Sequence, residues 1–196
     1  VATCSPDTFF PSTACQVQAA LGAKNAAAFD MSAACAGFLF GLNTAYAYIN
    51  SGIYKKVLLI GADIMTRFVD WQDRGTCVLF GDGAGAVVLE ASETGLFSFV
   101  QHAGGERGSV LSCKVGYREK SSCLQMDGQE VFKFALKTVP ECIEEVLEKG
   151  NVEKERVKYY VLHQANSRII SGVAKKLREK EEKFPMNIEK YGNTSA

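Results

Sequence analysis

The chain has 196 residues, of which 47% are hydrophobic and 22% charged, a composition typical of a globular protein rather than a disordered one. Its 22 basic and 22 acidic residues cancel, so no overall field favours nucleic acid or an anionic membrane as a partner. The seven cysteines are an odd number and lie outside zinc-binding spacings, so we expect reduced thiols in a cytoplasmic setting and no metal site.

Helices and buried strands alternate along the first half of the chain. The predicted elements are a helix over 11–21, a strand over 26–30, a helix over 36–49 and buried strands over 56–61 and 84–90. The corner between the first strand and the second helix carries Cys35. The glycine-rich run 81–85 lacks the Lys-Ser/Thr of a phosphate-binding loop, which predicts tight packing instead.

The second half repeats the order of helix, strand, corner and helix. Its predicted elements are strands over 96–102 and 122–126, a helix over 130–149, a strand over 157–162 and a helix over 166–178. Pro140 is expected to kink or divide the first of these helices, and the mixed charge run 178–183 is interpreted as a solvated helix end or loop. The halves are predicted to comprise residues 1–92 and 93–196. Both termini of the sequence have the pattern of an interrupted element, so we expect a fragment of a longer chain.

Cys35 is the first candidate for chemistry. It stands among small residues in Asp30-Met31-Ser32-Ala33-Ala34-Cys35-Ala36-Gly37-Phe38, so another molecule can approach the sulfur closely. A helix N-terminus at this corner would favour the thiolate through unsatisfied N–H groups and the helix dipole, which is how a nucleophile is built. The alternative is that Cys35 is a buried small apolar residue, the usual role of a free cysteine.

His163 and Asn193 are candidates because of their positions. His163 follows the strand predicted over 157–162, at the end where α/β proteins place chemistry, and Asn193 lies in a turn next to Gly192. An imidazole can accept a proton or donate a hydrogen bond, whereas an amide can only orient or stabilise. A single histidine at a strand end is alternatively structural, and His102 is interpreted in that way. Cysteine, histidine and asparagine at such corners together favour an enzyme.

Seven segments in order along the chain resemble a known family. They are Phe10-Pro11-Ser12, Ala33-Ala34-Cys35-Ala36-Gly37-Phe38, Asp73-Arg74-Gly75-Thr76, Phe80-Gly81-Asp82-Gly83-Ala84-Gly85-Ala86, Met126-Asp127-Gly128-Gln129-Glu130-Val131-Phe132, His163-Gln164-Ala165-Asn166 and Gly192-Asn193-Thr194-Ser195-Ala196. With them the chain resembles the β-ketoacyl-acyl-carrier-protein synthase III family, initiating condensing enzymes of type II fatty-acid synthesis in the thiolase-like superfamily. The resemblance implies an α/β fold with a duplicated layered αβαβα core, present here as a fragment that lacks both flanks.

The resemblance also implies that Cys35, His163 and Asn193 are catalytic. Cys35 would attack an acyl-CoA primer, with acetyl-CoA expected, and hold the acyl group as a thioester. Malonyl-acyl-carrier protein would then lose carbon dioxide, and its carbanion would attack that thioester to give a 3-oxoacyl-carrier protein. The His163 Nε2–H and the Asn193 amide suit the enolate, since neither must gain a proton. No cofactor is implied, because acyl-CoA and malonyl-acyl-carrier protein are substrates.

Further positions carry over from the same resemblance. Arg74 would lie against the CoA nucleotide, or else form a surface salt bridge. The pantetheine tunnel would be lined by residues that could also be core, namely Gly128, Phe132, Ala165, Asn166 and Ile169. Phe10 would cross a homodimer interface to close the acyl pocket of the other protomer. Arg168, Lys175 and Lys176 would share a helix face that suits the acidic acyl-carrier protein, or simply form a solvated basic face.

Three alternative functions stay open. Quinolone- and polyketide-type condensing enzymes share the three catalytic residues and differ in pocket shape. A papain-like cysteine protease also orders Cys, His and Asn, and the separation of 128 residues between Cys35 and His163 is near its spacing, but its Cys-Gly-Ser/Ala-Cys-Trp/Tyr signature is missing. A non-catalytic acyl-binding scaffold would carry a thiol no more reactive than free cysteine.

Overall fold

The structure, a computed structural model, describes residues 1–114 and 123–196. Their contacts divide the chain into a first unit, Val1–Met65, Asp82–Thr94 and Thr194–Ala196, and a second unit, Thr66–Gly81 and Gly95–Asn193. Compact units are not the same as duplicated halves, so the division into residues 1–92 and 93–196 stays a prediction. Within the described residues, no helix has both the length and the apolar character needed to cross a membrane.

Both helices of the first unit follow local signals in the sequence. Helix α1 spans Thr13–Ala20 and is capped by the Ser12 hydroxyl and the Asp30 carboxylate, which accept N–H bonds of the first turn at 2.7 to 3.2 Å. It ends before Gly22, whose φ of 64° suits a helix stop. Helix α2 spans Gly37–Asn50. The helices predicted in this part of the chain are therefore confirmed.

The sheet of the first unit is built on two long strands. Strand β1 spans Lys56–Ile64 and pairs antiparallel with β2, Asp82–Glu90, along its whole length. On the other side of β1 lies Ala2, whose N–H donates to the Ile60 carbonyl at 2.7 Å. Ala2 also forms a parallel bridge with Met31, so the first residues of the chain lie between β1 and the segment that leads to Cys35.

Two strand predictions in the first unit need correction. The run 84–90 does form β2, but it is mostly exposed rather than buried, and Val88 is 68% exposed. Pairing with β1 satisfies the backbone of β2 but does not cover its side chains, most of which are open to solvent within the described residues. The segment 26–30 is not a strand. A single parallel bridge, from Met31 to Ala2, follows it, and one bridge does not form a ladder. The strand predicted over 56–61 is confirmed as β1.

The second unit is mainly helical in the part of the chain that the structure describes. Its elements in chain order are β3 (Leu111–Ser112), β4 (Gln125–Met126), α3 (Gly128–Lys149), α4 (Ser167–Leu177) and α5 (Ile188–Tyr191). Asp127 caps α3 and Asn166 caps α4, each by accepting N–H bonds of the first turn. The helices predicted over 130–149 and 166–178 are confirmed. Helix α3 continues through Pro140 to its end rather than being divided there.

The strand predictions in the second unit are mostly wrong. Of the run 122–126 only β4 is a strand, and it pairs antiparallel with β3; Ser122 lies outside the described residues. The runs 96–102 and 157–162 are described throughout and form no ladder. The Tyr160 N–H, for example, donates to the carbonyl of Lys183, at 2.8 Å, which lies in a short 3₁₀ turn and not in a strand. A strand requires a neighbour along its length, which the local sequence does not reveal.

The core of the second unit is organised by α4. An apolar stripe at helical spacing is buried on this helix, comprising Ile169, Ile170, Val173, Ala174 and Leu177. Tyr160 and Phe184 join it with their rings stacked 4.8 Å apart between centroids. The helix ends at Arg178 in a left-handed conformation, and the charge run after it contains a Lys183–Glu179 ion pair at 2.9 Å and a 3₁₀ turn, as predicted for a helix end.

Candidate active site

Cys35 lies in a single 3₁₀ turn, Ala34–Ala36, directly before α2. Ala34 has a φ of 45°, a left-handed conformation that is strained for a residue with a side chain. The next residue, Gly37, allows close packing, since a Cβ there would lie 3.1 Å from the Ala2 side chain. Cys35 therefore stands at a tight corner that opens a helix, as the sequence predicts.

The surroundings of the Cys35 thiol favour its protonated form. Burial raises the pKa of the thiol, and the Asp63 carboxylate raises it further. A hydrogen bond with the Ser195 hydroxyl and one with its own backbone act in the opposite direction. Burial thus opposes the thiolate at neutral pH, where Cys35 is a thiol, and stabilisation of the thiolate by the helix N-terminus stays a prediction.

Asp63 and Ser195 are the polar residues near Cys35 that the sequence analysis missed. They are 3% and 4% exposed. Burial pushes the pKa of Asp63 upward, but hydrogen bonds, that of the Ser5 hydroxyl foremost, hold it below its usual range. The available signal was a carboxylate inside the apolar strand β1, which is costly to bury unless donors surround it.

His163 lies in the loop that precedes α4. The Gln164 side chain holds this loop, since its amide nitrogen donates to the Leu162 carbonyl at 3.0 Å and its amide oxygen accepts from the Asn187 N–H at 2.9 Å. His163 is exposed as a residue, yet the protein around its ring lowers its pKa by desolvation. The imidazole is therefore neutral at neutral pH and can donate one hydrogen bond.

Asn193 is 6% exposed, and its backbone is held on both sides. Its N–H donates to the Leu79 carbonyl at 2.8 Å, and its carbonyl accepts from the Gly81 N–H at 2.9 Å. Two glycines make this contact possible. Gly192 has a φ of 71°, which favours glycine, and a Cβ on Gly81 would collide with the Tyr191 carbonyl. The tight packing predicted for the glycine-rich run is confirmed at Gly81.

The predicted catalytic residues are divided between the units. Cys35 belongs to the first unit, and His163 and Asn193 belong to the second. Each residue is fixed by contacts inside its own unit, Cys35 by the turn before α2 and Asn193 by Leu79 and Gly81. Their action as one catalytic set is part of the function proposed below.

A cavity of about 380 Å³ in the second unit brings together several predicted tunnel residues. It is lined by residues from the start of α3 and the start of α4, namely Gly128, Gln129, Phe132, Lys133, Asn166 and Arg168. Ala165 packs against the hydrophobic core, and Ile169 is a buried member of that core. Three of the five predicted tunnel residues thus face one cavity, and a tunnel role for Ala165 and Ile169 stays a prediction.

The residues predicted to contact CoA, the other protomer and the carrier protein are all exposed. Arg74 lies in a turn shaped by the Asp73 carboxylate, which accepts hydrogen bonds from the Thr76 hydroxyl and the Gly75 N–H, both at 2.8 Å. Phe10 is 87% exposed in the first unit. The basic residues predicted on one helix face, Arg168, Lys175 and Lys176, all lie exposed on α4.

Comparison with known proteins agrees with these features. Residues 29–105 match the family model described as 3-Oxoacyl-[acyl-carrier-protein (ACP)] synthase III, and residues 147–196 match the model of its C-terminal part. Cys35 lies in the first matched range, and His163 and Asn193 lie in the second. The chain belongs to the β-ketoacyl-acyl-carrier-protein synthase III family.

Individual relatives agree with this family assignment, and those of known structure confirm the thiolase-like α/β fold. The chain is 46% identical over 207 residues to the beta-ketoacyl-[acyl-carrier-protein] synthase III of Clostridium botulinum, covering 100% of this chain and 64% of the relative. It matches the crystal structure of 3-oxoacyl-[acyl-carrier-protein] synthase III from Aquifex aeolicus with a TM-score of 0.94 and 48% identity, covering 100% of this chain and 62% of that one. The priming β-ketosynthase of the R1128 polyketide pathway matches with a TM-score of 0.93 and 32% identity over 99% of this chain and 61% of that one. The chain thus spans less than two thirds of the length of these relatives.

Proposed function

We propose that the complete protein carrying this sequence is a condensing enzyme that initiates fatty-acid synthesis. The observation that carries the proposal is the setting of Cys35, a half-buried thiol in a strained turn at the N-terminus of α2. The motifs of the synthase III family support it, since they include all three predicted catalytic residues.

In the first half-reaction, the Cys35 sulfur attacks the carbonyl carbon of an acyl-CoA, with acetyl-CoA as the primer. The bond from that carbon to the CoA sulfur breaks, and the proton of the Cys35 thiol ends on CoA. Because Cys35 rests as a thiol, negative charge on the sulfur develops only as this proton leaves. The N–H groups at the start of α2 stabilise that charge.

In the second half-reaction, malonyl-acyl-carrier protein loses carbon dioxide. The electron pair of the broken carbon–carbon bond forms an enolate, whose carbon attacks the acyl group on Cys35 and releases the cysteine sulfur, which regains a proton from solvent. The neutral His163 imidazole and the Asn193 amide donate hydrogen bonds to the enolate oxygen. A neutral donor suits this task because it does not protonate the enolate.

The remaining predicted site residues bind the substrates in this proposal. Arg74 binds the CoA nucleotide, and the cavity that includes Gly128, Phe132 and Asn166 accommodates the pantetheine arm. The basic face of α4 binds the acyl-carrier protein. The protein acts as a cytoplasmic homodimer in which Phe10 closes the acyl pocket of the other protomer, and it needs no cofactor or metal.

Intact-mass analysis of the complete protein tests the first half-reaction. After mixing with acetyl-CoA, we expect one added acetyl mass, located on Cys35 by peptide mapping and absent from the Cys35→Ala variant. Cys15→Ala removes an exposed thiol of the same unit and serves as the matched control that retains the acetyl mass. Acetylation of another cysteine, or of none, would contradict the proposal.

A second candidate function is the priming of polyketide synthesis, which the match to the R1128 priming β-ketosynthase favours. It uses the same chemistry with a different acyl group. A panel of acyl-CoAs of increasing length separates the two, since a fatty-acid initiator of the proposed kind is acylated fastest by acetyl-CoA. Peptide hydrolysis by Cys35 would indicate the protease instead, and a Cys35 thiol as slow as free cysteine would indicate a scaffold.

A further inference from the structure

The Asp63 carboxylate is the centre of a buried hydrogen-bond network in the first unit. Its Oδ1 accepts bonds from the Thr3 hydroxyl at 3.0 Å, the Cys4 N–H at 2.8 Å and the Ser5 hydroxyl at 2.8 Å. Its Oδ2 accepts a bond from the Ala196 N–H at 3.2 Å. Because Asp63 is 3% exposed, these donors rather than water stabilise its charge. The network joins the end of β1 to both termini of the described chain.

Ser195 links this network to Cys35. Its hydroxyl bonds the Asp63 carboxylate and the Cys35 thiol, and its Oγ lies 3.8 Å from the Cys4 sulfur. Ser195 also has a φ of 64°, a left-handed conformation that usually favours glycine. Such a conformation persists only where the surrounding structure fixes it, so the backbone that carries this hydroxyl is held by its neighbours.

The Ser195 hydroxyl has a single proton to donate. A carboxylate is a stronger acceptor than a thiol, so in the resting state the proton is donated to Asp63. A lone pair of the oxygen can then accept the weak S–H bond of the Cys35 thiol, while the Cys4 thiol donates to the Met65 sulfur at 3.9 Å. When Cys35 loses its proton, the same hydroxyl can rotate and donate to the sulfur that has become charged.

We propose that Asp63 and Ser195 are positioning residues for Cys35: Asp63 fixes the Ser195 hydroxyl, and this hydroxyl orients the sulfur and supports its charged form. The inference rests on the proposed function, in which Cys35 is the nucleophile, and it adds two residues to that function. The titratable groups beside Cys35 within the first unit are Asp63 and Cys4.

The two positioning residues have opposite effects on the Cys35 thiolate. The Ser195 hydroxyl favours the thiolate as a hydrogen-bond donor, whereas the Asp63 carboxylate disfavours it as a like charge. A pair that only maintained the local fold would change the reactivity of Cys35 in one direction when either member was removed. Opposite shifts are therefore the signature that distinguishes a positioning role from a structural one.

The pH dependence of Cys35 alkylation by iodoacetamide measures these shifts in the complete enzyme, with the Cys35 peptide quantified by mass spectrometry. We expect Ser195→Ala to slow alkylation about fivefold at a fixed pH below the thiol pKa, because one hydrogen bond to the thiolate is lost. Ser195→Gly should behave alike and relieves the left-handed backbone, so it tests the hydroxyl even if the alanine variant is unstable. Thr44→Val is the control, since it removes a half-buried hydroxyl of α2 that donates to the Phe40 carbonyl at 2.9 Å rather than to Asp63, and it should leave the profile unchanged.

Asp63→Asn separates positioning from charge. The substitution removes the negative charge, so alkylation of Cys35 should become faster and its profile should move to lower pH. The asparagine amide has an NH₂ group in place of one carboxylate oxygen, so it cannot accept all the bonds that the carboxylate accepts from Ser195 and Ala196. Acetyl transfer from acetyl-CoA should therefore become about tenfold slower despite the more available thiolate.

The outcomes are distinct. Three results would each overturn the positioning role. They are a profile of the Ser195 variants equal to that of the unmodified enzyme, a Thr44→Val shift as large as the Ser195 shift, and an Asp63→Asn enzyme whose acetyl transfer is accelerated in step with alkylation. Failure of the proposed function has another signature, because then the unmodified enzyme itself takes no acetyl group at Cys35. The alkylation profile still measures the effect of the Ser195 hydroxyl on the Cys35 thiol, whether or not Cys35 takes an acetyl group.

Discussion

The carbonyl oxygen of Asn193 accepts a hydrogen bond from the Gly81 amide at 2.9 Å. This contact depends on the absence of a side chain, since a Cβ on Gly81 would collide with the Tyr191 carbonyl. The position of the Asn193 amide, which the proposed mechanism assigns to the enolate, is therefore set by a glycine far away in the sequence.

Gly81→Ala should displace Asn193 and weaken the second half-reaction. We expect a loss of stability of about 1–3 kcal/mol from overpacking and a fall in malonyl decarboxylation of up to ~10²-fold from misplacement of the amide. Acetylation of Cys35 should survive. Gly85→Ala is the control, because a Cβ at Gly85 meets no atom within 4 Å. Chemical denaturation and carbon dioxide release measure the two effects, and equal behaviour of the two variants would refute the argument.

Substitution of the proposed enolate donors should separate the half-reactions. His163→Ala and Asn193→Ala are expected to lose malonyl decarboxylation by ~10²-fold or more while acetylation of Cys35 is at least partly retained. His102→Ala is the control, since that histidine forms an exposed ion pair with Glu145 at 2.7 Å. Equal loss of both steps in both variants would indicate that His163 activates the cysteine as a base.

The sequence predicts the helices well because their signals are local. Ser12, Asp127 and Asn166 each accept N–H bonds at a helix start, and Gly22 follows a helix end, all within a few residues of the elements they delimit. The strand predictions fail because strand pairing depends on residues that are distant in the sequence. The run 157–162 has the composition of a strand, but a ladder requires a neighbour that local composition does not specify.

The residues of the candidate site also fall into two groups, those that the sequence indicates and those that only the structure shows. Cys35, His163 and Asn193 can be proposed from residue type, corner position and family motifs. Asp63 and Ser195 cannot, because what matters about them is which groups they contact. The bond from the Ala196 amide to Asp63 spans 133 residues of sequence, and no periodicity or spacing encodes it. A buried carboxylate in an apolar strand indicates that donors must exist without indicating where they come from.

The lowered pKa of His163 predicts how stability depends on pH. In the unfolded chain this histidine has its ordinary pKa of 6.5, so between that value and the lower folded one the unfolded state binds more protons. Stability should therefore fall as the pH drops from 7 towards 5. His163→Asn should reduce this fall, measured by urea unfolding at both pH values, whereas His102→Asn should not. A fall of the same size in the His163 variant would show that desolvation of this imidazole does not lower its pKa.

The basic face of α4 predicts a selective defect with the carrier protein. Arg168 lies at the cavity between α3 and α4, and its guanidinium can bind an acidic surface or a phosphate. Arg168→Ala should raise KM for malonyl-acyl-carrier protein several-fold, with the difference shrinking at high salt because exposed charges are screened. Acetylation of Cys35 by acetyl-CoA should fall much less, because the pantetheine arm that shares this cavity is uncharged. Lys137→Ala, an exposed lysine on α3, is the control with no change in KM. Steady-state kinetics at two salt concentrations measures these KM values. An equal KM shift in the Arg168 and Lys137 variants, or a shift that does not depend on salt, would contradict binding of the carrier protein by this face.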